Sequence, residues 1–199
     1  MKFNTQLKLL TTSVILATSV NVMADTFEAT VTVKNSFDIT EDTPLDFGTI
    51  RANAVITGPS TDTANIVFDP ETGVGTATDG TAATMGQLIV GTPGAFTVSG
   101  LAPYQALDID TTQTAELKLV PHPTGGAFFN VDTFTFFVTS LVTPALYAAS
   151  GDLIADATGN ATFTVGATLT TSDVDTDGNS AQYQETAYVG DYEINISYP

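Results

Sequence analysis

Apolar and polar residues alternate one for one from residue 26 to residue 40. Odd positions Phe27, Ala29, Val31, Val33, Phe37 and Ile39 are apolar, Asn35 being the one exception, and every even position is polar. Period-two alternation predicts a β-strand with one face buried. Fifteen residues is far more than the 5–6 of an ordinary strand. Further along, the pattern predicts short strands at 45–50, 66–68 and 88–90, and another in which Phe96 and Val98 point inward before Gly100. Leu107 and Ile109, and then Leu117 and Leu119, form two more inward-facing pairs. The aromatic run 127–142 is expected to be central. The run 161–169 buries Ala161, Phe163, Val165, Ala167 and Leu169, and the run 188–198 buries Tyr188, Tyr192, Ile194, Ile196 and Tyr198. No window carries a 3.6-residue apolar period, and 142–150 has room for one helical turn at most. Many short strands separated by Gly, Pro and Asp turns predict an all-β antiparallel sandwich in a single domain.

Two features of this pattern bear on function. The first strand is too long for its own domain, and the last alternating run reaches the end of the sequence. A sandwich whose final strand has no successor leaves a sheet edge open. The spare alternation near the start could fill such an edge in another molecule by strand addition. Phe27, Ala29, Val31 and Val33 would be the inserted side chains, with Asn35 at the border and Phe37 and Ile39 beginning the home domain.

Residues 1–24 read as a secretory signal peptide. Lys2 and Lys8 precede an apolar run that ends in the small-x-small pattern Val22-Met23-Ala24. The expected organisation is a signal peptide at 1–24, an extension at 25–34 and one β-sandwich domain at 35–199. Removal of the signal would leave Lys34, Arg51 and Lys118 against 22 acids, a formal net charge of −19. Such a surface repels phosphate backbones and anionic membranes, which argues against nucleic-acid binding. There is no cysteine, so burial and ladder hydrogen bonds must hold the fold.

Candidate chemistry is sparse. Asp173, Asp175 and Asp177 followed by Gly178 and Asn179 match the first half of a calcium loop, in which alternate oxygen ligands and a glycine turn suit a hard cation. The twelfth position is Gln184 where a bidentate Glu is needed, and the competing reading is a solvated acidic hairpin tip. His122, the single histidine, lies between Val120-Pro121 and Pro123 in what reads as a surface turn, not a catalytic triad. No Cys/His cluster for zinc and no phosphate-binding glycine loop occurs. Phe128, Phe129, Phe134, Phe136 and Phe137 could line a ligand groove but suit a core. No cofactor is implied, calcium aside, and no enzyme is expected.

The ordered set "LDFGTI … FTVSG … GDLIADATGNATFTVGATLT … YVGDYEINISYP" resembles a secreted bacterial family known as domain of unknown function 4402, along nearly the whole chain after residue 24. The alternating N-terminal run and the penultimate Tyr198 also resemble subunits of chaperone–usher fimbriae. The resemblance implies an immunoglobulin-like antiparallel β-sandwich with an N-terminal donor strand that completes the next subunit. The implied partners are copies of itself in a fibre, plus a periplasmic chaperone and an outer-membrane usher. The chaperone would pair with the last strand, carrying Tyr192, Ile194, Ile196 and Tyr198. The expected destination is the cell surface, reached through the periplasm. The alternative is a self-contained secreted adhesion or binding module whose long strand stays in its own domain.

Overall fold

The computed structural model of the chain describes residues 36–199, apart from 59 and 111, and these belong to one compact unit. Among the described residues there is no helix and there are thirteen strands: β1 (Asp38–Thr43), β2 (Thr49–Asn53), β3 (Asn65–Phe68), β4 (Gly75–Thr78), β5 (Thr84–Ile89), β6 (Gly94–Ser99), β7 (Ala106–Ile109), β8 (Ala115–Leu117), β9 (Phe129–Val138), β10 (Ala145–Leu146), β11 (Leu153–Ile154), β12 (Ala161–Thr171) and β13 (Ile196–Ser197). All pairings are antiparallel. β12 is the spine. One of its edges takes β9 along nearly its whole length. The other takes β6 opposite Ala161–Val165 and then β3 opposite Thr168–Thr170. β1 extends the sheet beyond β6, β4 extends it beyond β3, and β8 and β10 lie against β9. A second sheet runs β11-β7-β13, and β2 with β5 makes a two-stranded ribbon. Their inner faces share one hydrophobic core, the layered arrangement expected of a β-sandwich.

β12 forms as the alternation predicts. Ala161, Phe163, Val165, Ala167 and Leu169 are all buried, and Phe163 lies between Phe96 (ring centroids 5.4 Å apart) and Phe136 (5.9 Å). β9 buries odd residues first, Phe129 and Val131, then even ones, Phe134, Phe136 and Val138. The phase slips at Thr133, which has φ +49°, a conformation costly for a β-branched residue. Its partner β12 shifts register between Gly166 and Thr168 at the same place. One extra residue on β9 is a β-bulge, and it lets a chain with two alternation phases keep both apolar sets inside.

Several expectations are corrected. The strand predicted at 45–50 begins at Thr49; before it only Asp46 pairs, with Thr92. The strand predicted at 88–90 exists as the end of β5, but Leu88, Ile89 and Val90 are 66%, 62% and 54% exposed. They emerge from a junction where Gly48 and Gly91 meet backbone to backbone, too tightly for a Cβ on either. The single helical turn allowed for 142–150 is instead β10 with irregular chain. In the C-terminal run, Tyr188, Tyr192, Ile194 and Ile196 are half-buried and Tyr198 is exposed, whereas burial was expected for all five; only Ile196–Ser197 is regular strand. Ile39, read as beginning the home domain, lies in β1 and is 42% exposed.

Acidic side chains hold the connecting loops. Asp62 accepts hydrogen bonds from the amides of Thr81 (2.7 Å), Ala82 (2.6 Å) and Ala83 (2.9 Å), which hold its carboxyl below the usual range. Asp69 and Asp156 do the same for their own turns.

Phe163→Ala should cost about 3–5 kcal/mol in urea unfolding, since it empties the contact between β6, β9 and β12. Val142→Ala, at a fully exposed site, should stay within about 0.5 kcal/mol. Because the folded pKa of Asp62 is depressed, the unfolded chain binds more protons on acidification, so the stability from this loop is present above the ordinary carboxylate pKa and is lost as pH falls through the folded value. Melting temperature followed downward from about pH 5 should therefore drop less steeply in Asp62→Asn than in the parent.

Candidate functional site

Antiparallel partners that sit directly opposite one another share a face. Ile39 pairs with Val98 and Glu41 with Phe96, and both partners are buried in the core. Ile39 and Glu41 therefore lie on the core-facing side of β1, yet both are exposed. What uncovers them is position: among the described residues β1 has a strand on one side only, β6.

The C-terminal run lies alongside. The Phe37 and Tyr198 rings meet edge to face at 5.5 Å, and Tyr192 stacks on Phe134 at 5.5 Å and meets the Phe96 edge at 6.4 Å. Contact of Phe37 with Tyr198, and of Tyr192 with Phe96, the residue paired with Glu41, set β1 and the C-terminal run antiparallel. Yet no ladder hydrogen bond joins them among the described residues. The run makes its backbone bonds on its other side. Lys118 and Val189 exchange two (2.8 and 2.9 Å), the Asp110 amide donates to the Asn195 carbonyl (2.9 Å), and β13 pairs with β7. Among the described residues β1 and the C-terminal run thus lie side by side without a ladder, a seam with exposed Ile39 and Glu41 on one side and half-buried Tyr192, Ile194 and Ile196 on the other.

Two half-buried tyrosines of this region differ. The Tyr183 hydroxyl donates to the Phe128 carbonyl (2.6 Å) and accepts from the Ser172 amide (3.0 Å), and its ring stacks on Phe129 at 4.3 Å. Burial pushes its phenol up to about 12, against the pull of the Ser172 hydrogen bond. Burial likewise pushes Tyr192 up to about 12, with the Glu41 carboxylate adding to the shift and the Leu45 backbone opposing it. The Tyr192 hydroxyl nevertheless has no hydrogen bond of acceptable geometry.

The sequence-derived site residues fall into three groups. Phe27, Ala29, Val31 and Val33 lie outside the described residues. Tyr192, Ile194, Ile196 and Tyr198 come together along the seam. In the acidic loop, Asp173 accepts from the Thr176 amide (2.6 Å), Asp177 accepts from the Asp173 amide (2.9 Å) and from the Asn130 side chain (3.1 Å), and Asn179 is buried. These carboxylates serve their own turn, and among the described residues no three His, Asp or Glu side chains converge as a metal-binding group. His122 is exposed, with its ring edge-on to Phe128 at 5.9 Å. Glu41 was missed. The signal was present, since it continues the odd-numbered phase of Phe37 and Ile39 with a charge.

No protein-family model matches the chain, and no curated protein or solved structure matches it significantly.

Tyr183→Phe removes one of two donors to the Phe128 carbonyl, which keeps the Ser172 amide (3.1 Å), and should cost about 0.5–1.5 kcal/mol. Tyr192→Phe removes a buried hydroxyl that has no partner and should leave stability unchanged or raised. Chemical denaturation of the two variants side by side checks the contrast. A cost for Tyr192→Phe equal to that of Tyr183→Phe would contradict it.

Proposed function

We propose that this chain is a structural subunit of an extracellular fimbria, polymerised by strand addition, with residues 25–34 of one copy completing the open seam of the next. The observation that carries the reading is Ile39: an aliphatic side chain on the core-facing side of an edge strand, 42% exposed, beside a C-terminal run whose apolar side chains are only half-buried. Covering the exposed part of this side chain would gain up to about half of the roughly 1.5–3 kcal/mol that full burial is worth, which favours an occupant beside it.

Strand order supports the same reading. β1-β6-β12-β9 in one sheet and β7-β13 in the other follow the A-B-E-D and C-F order of an immunoglobulin-like sandwich. In that order a seventh strand would lie beside the sixth, at the seam. Residues 25–34 have the alternation to fill it, with Phe27, Ala29, Val31 and Val33 facing in. The resemblance to fimbrial subunits adds a periplasmic chaperone and an outer-membrane usher as assembly partners. In this reading the protein is exported, is not an enzyme and uses no cofactor. Its subunits are all strongly acidic and repel one another, so the junction should strengthen with salt.

Val31→Asp tests it. The variant places an unpaired charge in the seam and should abolish filaments seen by electron microscopy and ladders on unboiled gels. A peptide covering residues 26–34, supplied in trans, should still stabilise the variant's home domain. Filaments undiminished by Val31→Asp would overturn the reading, and the strand would then belong to its own domain in a self-contained adhesion module.

A further inference from the structure

We propose that Glu41 selects the strand entering the seam by requiring a small side chain over its carboxylate, and that Ala29 is that side chain. The inference rests on the strand-addition reading above.

Glu41 is a charge on the inward side of an edge strand, which is one way proteins refuse unwanted strands. It sits opposite Phe96, and Tyr192, the other group near it, is neutral below about pH 12. Among the described residues the sole ion pair joins Lys118 to Glu116, and none involves Glu41. A strand laid along β1 presents inward side chains every second residue, the spacing that separates Ile39 from Glu41. A large apolar side chain over Ile39 gains contact. The same side chain over Glu41 strips water from a carboxylate and offers no hydrogen bond in return.

The entering segment fits this uneven floor in one register. Of its inward residues, Phe27, Val31 and Val33 are large and Ala29 is small. With Ala29 over Glu41, either Phe27 or Val31 covers Ile39, depending on strand direction, and water keeps access to the carboxylate. A slip of two residues in either direction puts Phe27 or Val31 on the charge instead. The carboxylate thus fixes register as well as identity, which an all-apolar floor would leave loose.

A double-mutant cycle on the full chain begun at Asp25 tests this, because donor and floor are then carried by every copy. Filament dissociation in guanidinium and the apparent assembly constant are the readouts. Ala29→Leu should weaken assembly about tenfold, Glu41→Ala should weaken it little or not at all, and the double variant should return to within about threefold of the parent. Glu41→Gln, which keeps the size and removes the charge, should rescue Ala29→Leu in part. If Ala29→Leu is equally damaging in every background, the inference is overturned while the strand-addition reading stands. If the coupling appears only in the unfolding of a species that sediments as a monomer, the Ala29–Glu41 contact stands and assembly in trans is overturned.

Discussion

The structure depends on β12 being paired on both edges. Its backbone groups bond to β9 on one side and to β6 and β3 in succession on the other, and alternate side chains from Ala161 to Leu169 fill the core. A strand paired on both edges over most of its length has few free ladder groups, so most of the cost of burying its backbone is offset. Everything else is arranged by how far it lies from this spine. β9 and β6, one step out, are alternately buried. β1, two steps out, has an exposed face and an unpaired edge.

With no disulfide and a single ion pair among the described residues, long-range order rests on aromatic and aliphatic contact. Phe96, Phe136 and Phe163 join three strands of one sheet, and Tyr192 and Tyr183 pin the C-terminal segment onto it. Polar side chains act mostly over short distances. The carboxylates of Asp69, Asp110 and Asp156 take up amides of their own turns, and Asp62 reaches across to 81–83. A chain so poor in cations satisfies its acids with backbone N–H groups, and its surface stays strongly negative.

The sequence made the strands of the spine legible because a buried strand in an antiparallel sheet keeps one phase, and Ala161 to Leu169 kept it. β9 showed its apolar content but not its bulge, since two phases joined at Thr133 look like a continuous aromatic run. Leu88, Ile89 and Val90 were read as a strand, and β5 supplies it as far as Ile89; that their side chains stay exposed beside the tight glycine junction of residues 48 and 91 is something no local pattern encodes. The seam was legible only as an excess of alternation at one end and a terminal strand at the other. That β1 and the residue 188–198 run lie side by side without bonding is a tertiary fact, set by Phe37 on Tyr198 and by Tyr192 on Phe134. The calcium-like spacing of Asp173, Asp175 and Asp177 was visible too, but spacing says nothing about whether the oxygens face an ion or their own amides.

An open seam has to satisfy two opposed demands. It must be apolar enough to hold a strand, and it must not recruit every strand that passes. On the proposed reading Ile39 would serve the first and Glu41 the second, two residues apart on one face of β1. On the proposed reading the donor answers in kind, since a run of uniformly large side chains would bind more area yet collide with the charge. Ala29, the weakest of the four inward residues by buried area, then contributes most to choice of register. Selectivity in such a seam comes from a local loss of burial. On that reading the exposed edge of β1, which looks like a defect of the isolated domain, is where that loss is positioned.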